Sequence, residues 1–335
     1  MLDAVSPRMA RLAPASSEVR PAAIIGLATE LPEGRLTNAE LAAHLDITED
    51  WIVSRTGIRE RRRAAPEERL SEYAARAGAA ALADAGVPAT ELDLVIVATM
   101  TQDELTPNTA PLVADALGAE RAGAFDVGAA CSAFLAALAQ GTAQIESGRA
   151  DHVLVIGADF ITRITDYDDR RTAPLFADAA GAVLLGVGGG ERGTIGPIVL
   201  GADGSNGQTI HASHDERKLR MDGPEVFRHA VARMSAVTLD AVAQAGLTLA
   251  DIDLFVYHQA NARITRALAE RLGVEVERVV DCIEVVGNAS AATLPVALAA
   301  AQADGRLRPG VLILLSTFGA GFTWGGGVVQ WGTHG

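Results

Sequence analysis

The chain has 335 residues, 49% of them hydrophobic, and a formal net charge of −14 at pH 7. That length and apolar content allow a large core, in two domains or one duplicated body. The charge speaks against nucleic acid as a general partner, which needs a broad basic surface, and no apolar run reaches the roughly eighteen residues of a membrane span.

Residues 1–20 mix Ala, Pro, Ser and Arg without a continuous apolar segment, which predicts a loose tail and no signal peptide. W-I-V-S-R-T-G-I-R-E-R-R follows at 51–62. Trp51 and Arg55 stand four apart, so on a helix they share one face, where an indole and a guanidinium can hold a flat, phosphate-bearing ligand. Arg55, Arg59, Arg61, Arg62 and Arg63 crowd the same stretch, and a solvated loop is the plain alternative for them. Residues 81–97, A-L-A-D-A-G-V-P-A-T-E-L-D-L-V-I-V, read as helix, glycine stop, short loop and buried strand. Thr106 comes next, in the Pro-bounded loop D-E-L-T-P-N-T-A-P at 103–111.

At 125–139, F-D-V-G-A-A-C-S-A-F-L-A-A-L-A takes an apolar strand into an Ala-rich helix, with Cys131 at the junction. Unpaired N–H groups and the macrodipole at a helix start favour thiolate over thiol, which makes Cys131 a candidate nucleophile. G-V-G-G-G at 186–190 lacks the glycine spacing and downstream acid of a dinucleotide fingerprint, and the stretch up to 193 reads as a turn. His211 and His214 form an H-x-x-H pair in a polar segment without further ligands, so a surface loop is expected rather than a metal site.

Residues 241–257, A-V-A-Q-A-G-L-T-L-A-D-I-D-L-F-V-Y, repeat the pattern of 81–97 at an offset of 246 − 86 = 160. S-G-R-A-D-H-V-L-V-I (147–156) and D-G-R-L-R-P-G-V-L-I-L (304–314) form a second pair in the same order. Two copies of a helix-strand unit imply two similar α/β halves, drawn at 21–190 with the cysteine and 191–335 with the residues described next. His258 in F-V-Y-H-Q-A-N (255–261) and Asn288 in V-V-G-N-A-S-A-A (285–292) each interrupt an apolar run, at the end of an expected strand. Cys282 reads as a buried strand residue, and two cysteines make no disulfide framework, which fits a reducing cytoplasm. Buried polar groups cost free energy unless paired, so Cys131, His258 and Asn288 are expected to share one catalytic site between the halves.

W-I-V-S-R-T-G-I-R-E-R-R, D-V-G-A-A-C-S-A-F, H-Q-A-N-A-R-I, G-N-A-S-A-A and F-G-A-G-F-T-W-G, in this order, resemble the β-ketoacyl-acyl-carrier-protein synthase III family of the thiolase superfamily. The resemblance runs from about Pro21 to the C-terminus. H-Q-A-N followed by G-N-x-S separates this group from thiolases, with their second cysteine, and from elongating synthases, with two histidines. The resemblance implies an α/β fold, a thiolase-like duplicated five-layer αβαβα sandwich, in a cytoplasmic homodimer. It also implies a decarboxylative Claisen condensation. Cys131 takes an acyl group from acyl-coenzyme A; His258 Nε2 and the Asn288 amide then stabilise the enolate of malonyl-acyl carrier protein.

Further roles follow from the same resemblance. Backbone N–H groups of Cys131 and Ala320 form the oxyanion hole, and Phe318 supports the malonyl site. Trp51, Arg55, Arg170 and Asn261 bind coenzyme A; Arg228, Arg263 and Arg271 dock the carrier protein. Thr106, reaching across the dimer, and Ala133 shape the acyl pocket. No metal or cofactor is implied beyond the coenzyme A thioesters used as substrates, and neither nucleic acid nor membrane is a partner. C-S-A-F stands here for the family's C-A-G-F, F-A-D-A-A-G for F-G-D-G-A-G, and G-N-A-S for G-N-T-S, which suggests a specialised member supplying a starter unit to a polyketide or other secondary pathway. Simple acyl transfer from Cys131 to a hydroxyl or amine is the alternative reading, and a non-catalytic partner subunit a minor one.

Overall fold

Ile96 and Ala98 face one hydrophobic core, while Val95 and Val97 of the same strand face another. The same alternation divides Val153 and Val155 from Leu154 and Ile156, and Leu254 and Val256 from Phe255 and Tyr257. Strands buried on both faces need continuous apolar runs, which is why these segments stand out in the sequence.

The computed structural model describes residues 19–333. Its first half runs β1 (Ala22–Glu30), β2 (Arg35–Thr37), α1 (Asn38–Leu45), α2 (Glu49–Thr56), β3 (Glu60–Arg62), α3 (Leu70–Ala85), β4 (Leu94–Ala98), α4 (Thr109–Leu117), β5 (Gly123–Val127), α5 (Ala133–Glu146), β6 (Val153–Phe160) and β7 (Asp178–Val187). The second runs β8 (Thr194–Ala202), β9 (Ile210–Ala212), β10 (Leu219–Met221), α6 (Gly223–Gln244), β11 (Leu254–Tyr257), α7 (Ala262–Leu272), α8 (Ile283–Val286), α9 (Thr293–Ala303), β12 (Leu312–Gly319) and β13 (Thr323–Gln330).

The first sheet has the order β1-β7-β6-β4-β5, with β4 parallel to both neighbours and β7 antiparallel to both of its own. The second has the order β8-β13-β12-β11, with only β11 and β12 parallel. Strand for strand, β1, β7, β6 and β4 correspond to β8, β13, β12 and β11. Where the first sheet continues into β5, the second has a single bridge, Phe255 to Val279.

Helices α5 and α9 pack between the inner faces of the two sheets. Helices α3 and α4 cover the outer face of the first sheet, α6 and α7 that of the second, which completes five layers in the order αβαβα. No helix among the described residues is long and apolar enough to cross a membrane.

Two local expectations change. Cys282 is not in a strand, and Asn288 does not end one: after Val280 N donates to Phe255 O, Asp281 Oδ1 accepts from Ile283 N and turns the chain into α8. Of the expected tail, residues 1–18 lie outside the described residues, while Arg20 is anchored by hydrogen bonds to Ile145 O and Ala150 O and an ion pair with Asp151 at 2.7 Å.

Candidate active site

Cys131 follows the C-terminal end of β5, and His258 that of β11. In sheets of this kind the carboxyl ends of parallel strands are where loops are free to carry chemistry. Cys131 sits in a single 3-10 turn, Ala130–Ser132, that leads into α5. The second half holds this turn in place: Thr317 Oγ1 donates to Cys131 O at 2.9 Å, Thr323 Oγ1 to Ala129 O at 3.1 Å, and Ser132 Oγ to Thr323 O at 3.1 Å. A Cβ on Gly319 would lie 2.8 Å from Cys131 N, so only glycine allows β12 to approach Cys131 this closely.

Asn288 is pinned at both backbone groups, its N–H donating to Leu175 O and its carbonyl accepting from Ala177 N, each at 2.9 Å. Its Oδ1 accepts from Ser290 N at 2.9 Å, so the amide Nδ2 with its two protons is the side-chain group left for a ligand. His258 continues the β11 ladder through its N–H to Ser316 O, and its ring Nδ1 lies 2.6 Å from Thr293 Oγ1 at the start of α9.

Burial pushes the His258 imidazole down to about 3, which keeps it neutral. The Cys131 thiol moves the other way, up to about 11, because burial penalises the thiolate; the Ser290 hydroxyl opposes this and the nearby Asp159 carboxyl reinforces it. The expected preference for thiolate is therefore reversed at rest, since loss of hydration outweighs one helix start. Ser290 Oγ lies close enough to influence Cys131 and Asp159 but forms no well-directed hydrogen bond with either.

Cys131, His258 and Asn288 open on one cavity of about 570 Å³, together with Phe318 and Ala320. Phe318 is buried, its ring 4.8 Å from that of Phe322. Trp51, Arg55 and Arg170 line the more exposed part of the same cavity. The Arg55 guanidinium lies 4.3 Å from the Trp51 ring centroid, so the shared helix face expected from their spacing is formed as a stack. Asn261 also lines the cavity, but both of its polar atoms are engaged: Nδ2 donates to Arg55 O and Oδ1 caps α7 through Arg263 N.

Other candidates lie apart. Arg263 reaches the cavity rim, 5.7 Å from the Phe227 ring, while Arg228 and Arg271 are exposed on α6 and α7 outside it, Arg228 paired with Glu225 at 2.7 Å. Thr106 is exposed in the loop before α4, and Ala133 is fully buried in the central core; neither lines this cavity. His211 lines the cavity and His214 is exposed, and no cluster of His, Cys, Asp or Glu among the described residues could hold a metal.

The sequence did not single out two buried supports. Asp159 accepts hydrogen bonds from Thr99 Oγ1, Met100 N, Thr101 Oγ1 and Ala291 N, tying β6 to the turn that begins α9; an acid inside the apolar run V-I-G-A-D-F was its visible sign. Arg61 is fully buried and donates to Leu36 O, Asn38 Oδ1 and Pro174 O, beside the segment that fixes the Asn288 backbone. A solvated loop therefore does not describe Arg61.

Residues 125–204 match the family model of 3-oxoacyl-[acyl-carrier-protein] synthase III, and residues 242–331 match that of its C-terminal region. Beta-ketoacyl-[acyl-carrier-protein] synthase III of Symbiobacterium thermophilum is 43% identical over 329 residues, covering 94% of this chain and 99% of the relative. Synthase III 2 of Streptomyces coelicolor is 46% identical over 311 residues, covering 92% and 94%. The crystal structure of the Aquifex aeolicus synthase III superposes with a TM-score of 0.90 at 40% identity, over 92% of this chain and 100% of that one. The priming beta-ketosynthase of the R1128 polyketide pathway gives a TM-score of 0.91 at 37% identity, over 96% and 99%. With relatives this similar over nearly their whole length and a shared five-layer fold, the chain belongs to the 3-oxoacyl-[acyl-carrier-protein] synthase III family.

Proposed function

We propose that this chain condenses an acyl-coenzyme A starter with malonyl-acyl carrier protein, with loss of carbon dioxide, to give a β-ketoacyl thioester. The observation that carries the reading is that Cys131, His258 and Asn288, from different halves, line one cavity. Cys131 attacks the acyl thioester and holds the acyl group, dividing one difficult reaction into two. The malonyl thioester then enters. Loss of carbon dioxide leaves an enolate whose oxygen faces His258 and the Asn288 amide, and its carbon attacks the acyl-Cys131 carbonyl. The N–H groups of Cys131 and Ala320 receive the resulting oxyanion. Phe318, buried beside the site, disfavours the malonate charge and so favours its loss as neutral carbon dioxide.

Trp51, Arg55 and Arg170 suit the nucleotide end of coenzyme A, since a flat stacked pair and an exposed guanidinium match an adenine ring and phosphates. Arg263 at the cavity rim, with Arg228 and Arg271 exposed on α6 and α7, would supply local positive charge to an acidic carrier protein on a chain of charge −14. Strand β5 is an edge with Phe125 exposed, beside a loop that exposes Leu105 and Thr106, and this favours a homodimer in which Thr106 meets the partner's acyl pocket. Two free cysteines fit a reducing cytoplasm.

Intact-mass analysis after incubation with a panel of acyl-coenzyme A thioesters, followed by malonyl-carrier protein and measurement of carbon dioxide, tests the reading. Acyl-Cys131 that persists in the presence of malonyl-carrier protein without carbon dioxide release would overturn condensation in favour of acyl transfer.

A further inference from the structure

The environment of His258 decides where its proton sits. Nδ1 is 2.6 Å from Thr293 Oγ1, and the same hydroxyl is 2.9 Å from Ser290 O. A hydroxyl has one proton to give. The Ser290 carbonyl can only accept. Were the proton directed at Nδ1, the lone pairs of the hydroxyl oxygen and of the Ser290 carbonyl, which also accepts from Thr293 N, would face each other at 2.9 Å with no proton between them, in a place where His258, Ser290 and Thr293 are all buried. The one arrangement that satisfies both contacts has Thr293 donating to Ser290 O and Nδ1–H donating to Thr293. A neutral ring then has no proton on Nε2, and His258 makes no hydrogen bond through Nε2 to any described residue.

We infer that Thr293 is the positioning residue that holds His258 as its Nδ1–H tautomer, so that Nε2 is an acceptor at rest and can donate to the malonyl thioester only after taking a proton, for which the Cys131 thiol lining the same cavity is the source. The inference rests on the condensation proposed above and changes the role expected for Nε2, which is a donor only as imidazolium. A lone thiolate or a lone imidazolium is costly in this site, because burial disfavours either charge on its own, raising the Cys131 thiol and lowering the His258 imidazole. Made together from one proton, the two charges offset each other.

The protons balance. The Cys131 S–H bond breaks as Nε2–H forms, the sulfur attacks the acyl-coenzyme A carbonyl, and coenzyme A leaves as a thiolate that solvent protonates. The imidazolium, without its thiolate once Cys131 is acylated, is met by the carboxylate charge of the entering malonyl thioester; the malonyl carbon–carbon bond then breaks, its electron pair passing into the enolate, whose oxygen accepts from Nε2–H and the Asn288 amide. The enolate carbon bonds to the acyl carbonyl, the carbon–sulfur bond to Cys131 breaks, and the thiolate recovers its proton from Nε2. Solvent supplies a single proton per turnover, matching the carboxylate charge lost as carbon dioxide.

The test uses the full chain labelled with 15N-histidine, with the His258 signals identified by their loss in His258→Ala. The substrate-free protein is expected to show protonated Nδ1 and bare Nε2. Thr293→Val, of the same shape without the hydroxyl, should populate the Nε2–H tautomer, and Thr293→Ser should restore the original signature. Alkylation of Cys131 by iodoacetamide at neutral pH, read by peptide mass, should slow about tenfold or more in Thr293→Val and recover in Thr293→Ser. A protonated Nε2 in the unaltered protein, a Thr293→Val tautomer identical to it, or equal alkylation rates would overturn the assignment. Both measurements are made without acyl or malonyl substrate, so they stand independently of the product: an intact tautomer alongside absent carbon dioxide release would sink the condensation and leave Thr293 in place.

Discussion

Ala130 and Ser290 occupy the same place in the two halves, 290 − 130 = 160 residues apart, and both hold the left-handed backbone, with φ of 47° and 49°. Each opens a 3-10 turn at the head of a central helix, one turn carrying Cys131 and the other following Asn288. By the same offset Asn288 stands where the first half has Gly128, and His258 where it has Ala98. One structural frame thus carries Cys131 in one copy and His258 and Asn288 in the other.

The left-handed backbone at Ala130 makes that position intolerant of branching. Ala130→Val should lower stability by about 1–2 kcal/mol and slow Cys131 acylation as well, because the turn that aims the sulfur is disturbed. Thermal unfolding and acyl loading followed by intact mass would report both. An unchanged melting temperature would contradict the strain.

Asn288 offers Nδ2 to a ligand while Oδ1 is engaged, so its removal should separate the half-reactions. Asn288→Ala is expected to retain acylation of Cys131 and to lose condensation by about 100- to 1000-fold, the usual cost of one oxyanion donor. Single-turnover mass analysis of loading, set against carbon dioxide release, distinguishes the two. Condensation at the unaltered rate would remove Asn288 from the mechanism.

Two buried acids give pH signatures of known sign. With the Cys131 thiol raised to about 11 from an ordinary 9.0, the thiolate fraction, and with it the alkylation rate, should keep climbing beyond pH 9 where an ordinary thiol levels off. Asp178, whose carboxyl burial raises to about 6 from 3.8, binds its proton more tightly folded than unfolded. Its contribution is therefore fully present below about pH 3.8 and is lost as pH rises toward 6. Denaturant unfolding across that window should show a decline in stability that Asp178→Asn flattens; parallel curves for the two proteins would rule this out.

Charge reversal at Arg263, on the cavity rim, should raise the KM for malonyl-carrier protein far more than it slows loading by acyl-coenzyme A, and the defect should shrink with added salt. Equal damage to both steps would place Arg263 in the shared cavity instead of a docking face.

Phe125, exposed on the β5 edge, should matter for assembly. Phe125→Lys is expected to convert the proposed homodimer into a monomer in sedimentation velocity, and with it to abolish any effect of Thr106→Phe on acyl chain length. If Thr106→Phe narrowed the acyl range in a monomer, the loop would be acting on its own cavity.

Much of the fold was legible because its central strands are buried on both faces, so they and the helices flanking them repeat as recognisable blocks at a fixed spacing. What escaped was the place where the repeat breaks. The second copy has no counterpart to β5, since Asp281 turns the chain into α8, and apolar composition alone does not distinguish a short helix from a strand there. The three polar interruptions were visible because each stands in apolar surroundings, and the structure brings them to one cavity. Their supports were not. Thr293 is an ordinary helix residue by sequence, and its importance lies in a 2.6 Å contact made across 35 positions of chain. Arg61 looked like one of several loop arginines because its burial depends on Leu36, Asn38 and Pro174, which only the tertiary fold brings to it.

Gly319, Thr317 and Thr323 place the backbone of one half directly against the Cys131 turn of the other. The position of Cys131 is thus calibrated by a hairpin some 190 residues downstream, the separation of Ser132 from Thr323 being 191. Chimeras that graft the first half of one relative onto the second half of another will inherit a sulfur tuned to a hairpin they no longer have. Exchanges meant to alter substrate choice should therefore move the Cys131 turn and the 317–323 hairpin together, as one heritable unit, even though some 190 residues of chain separate them.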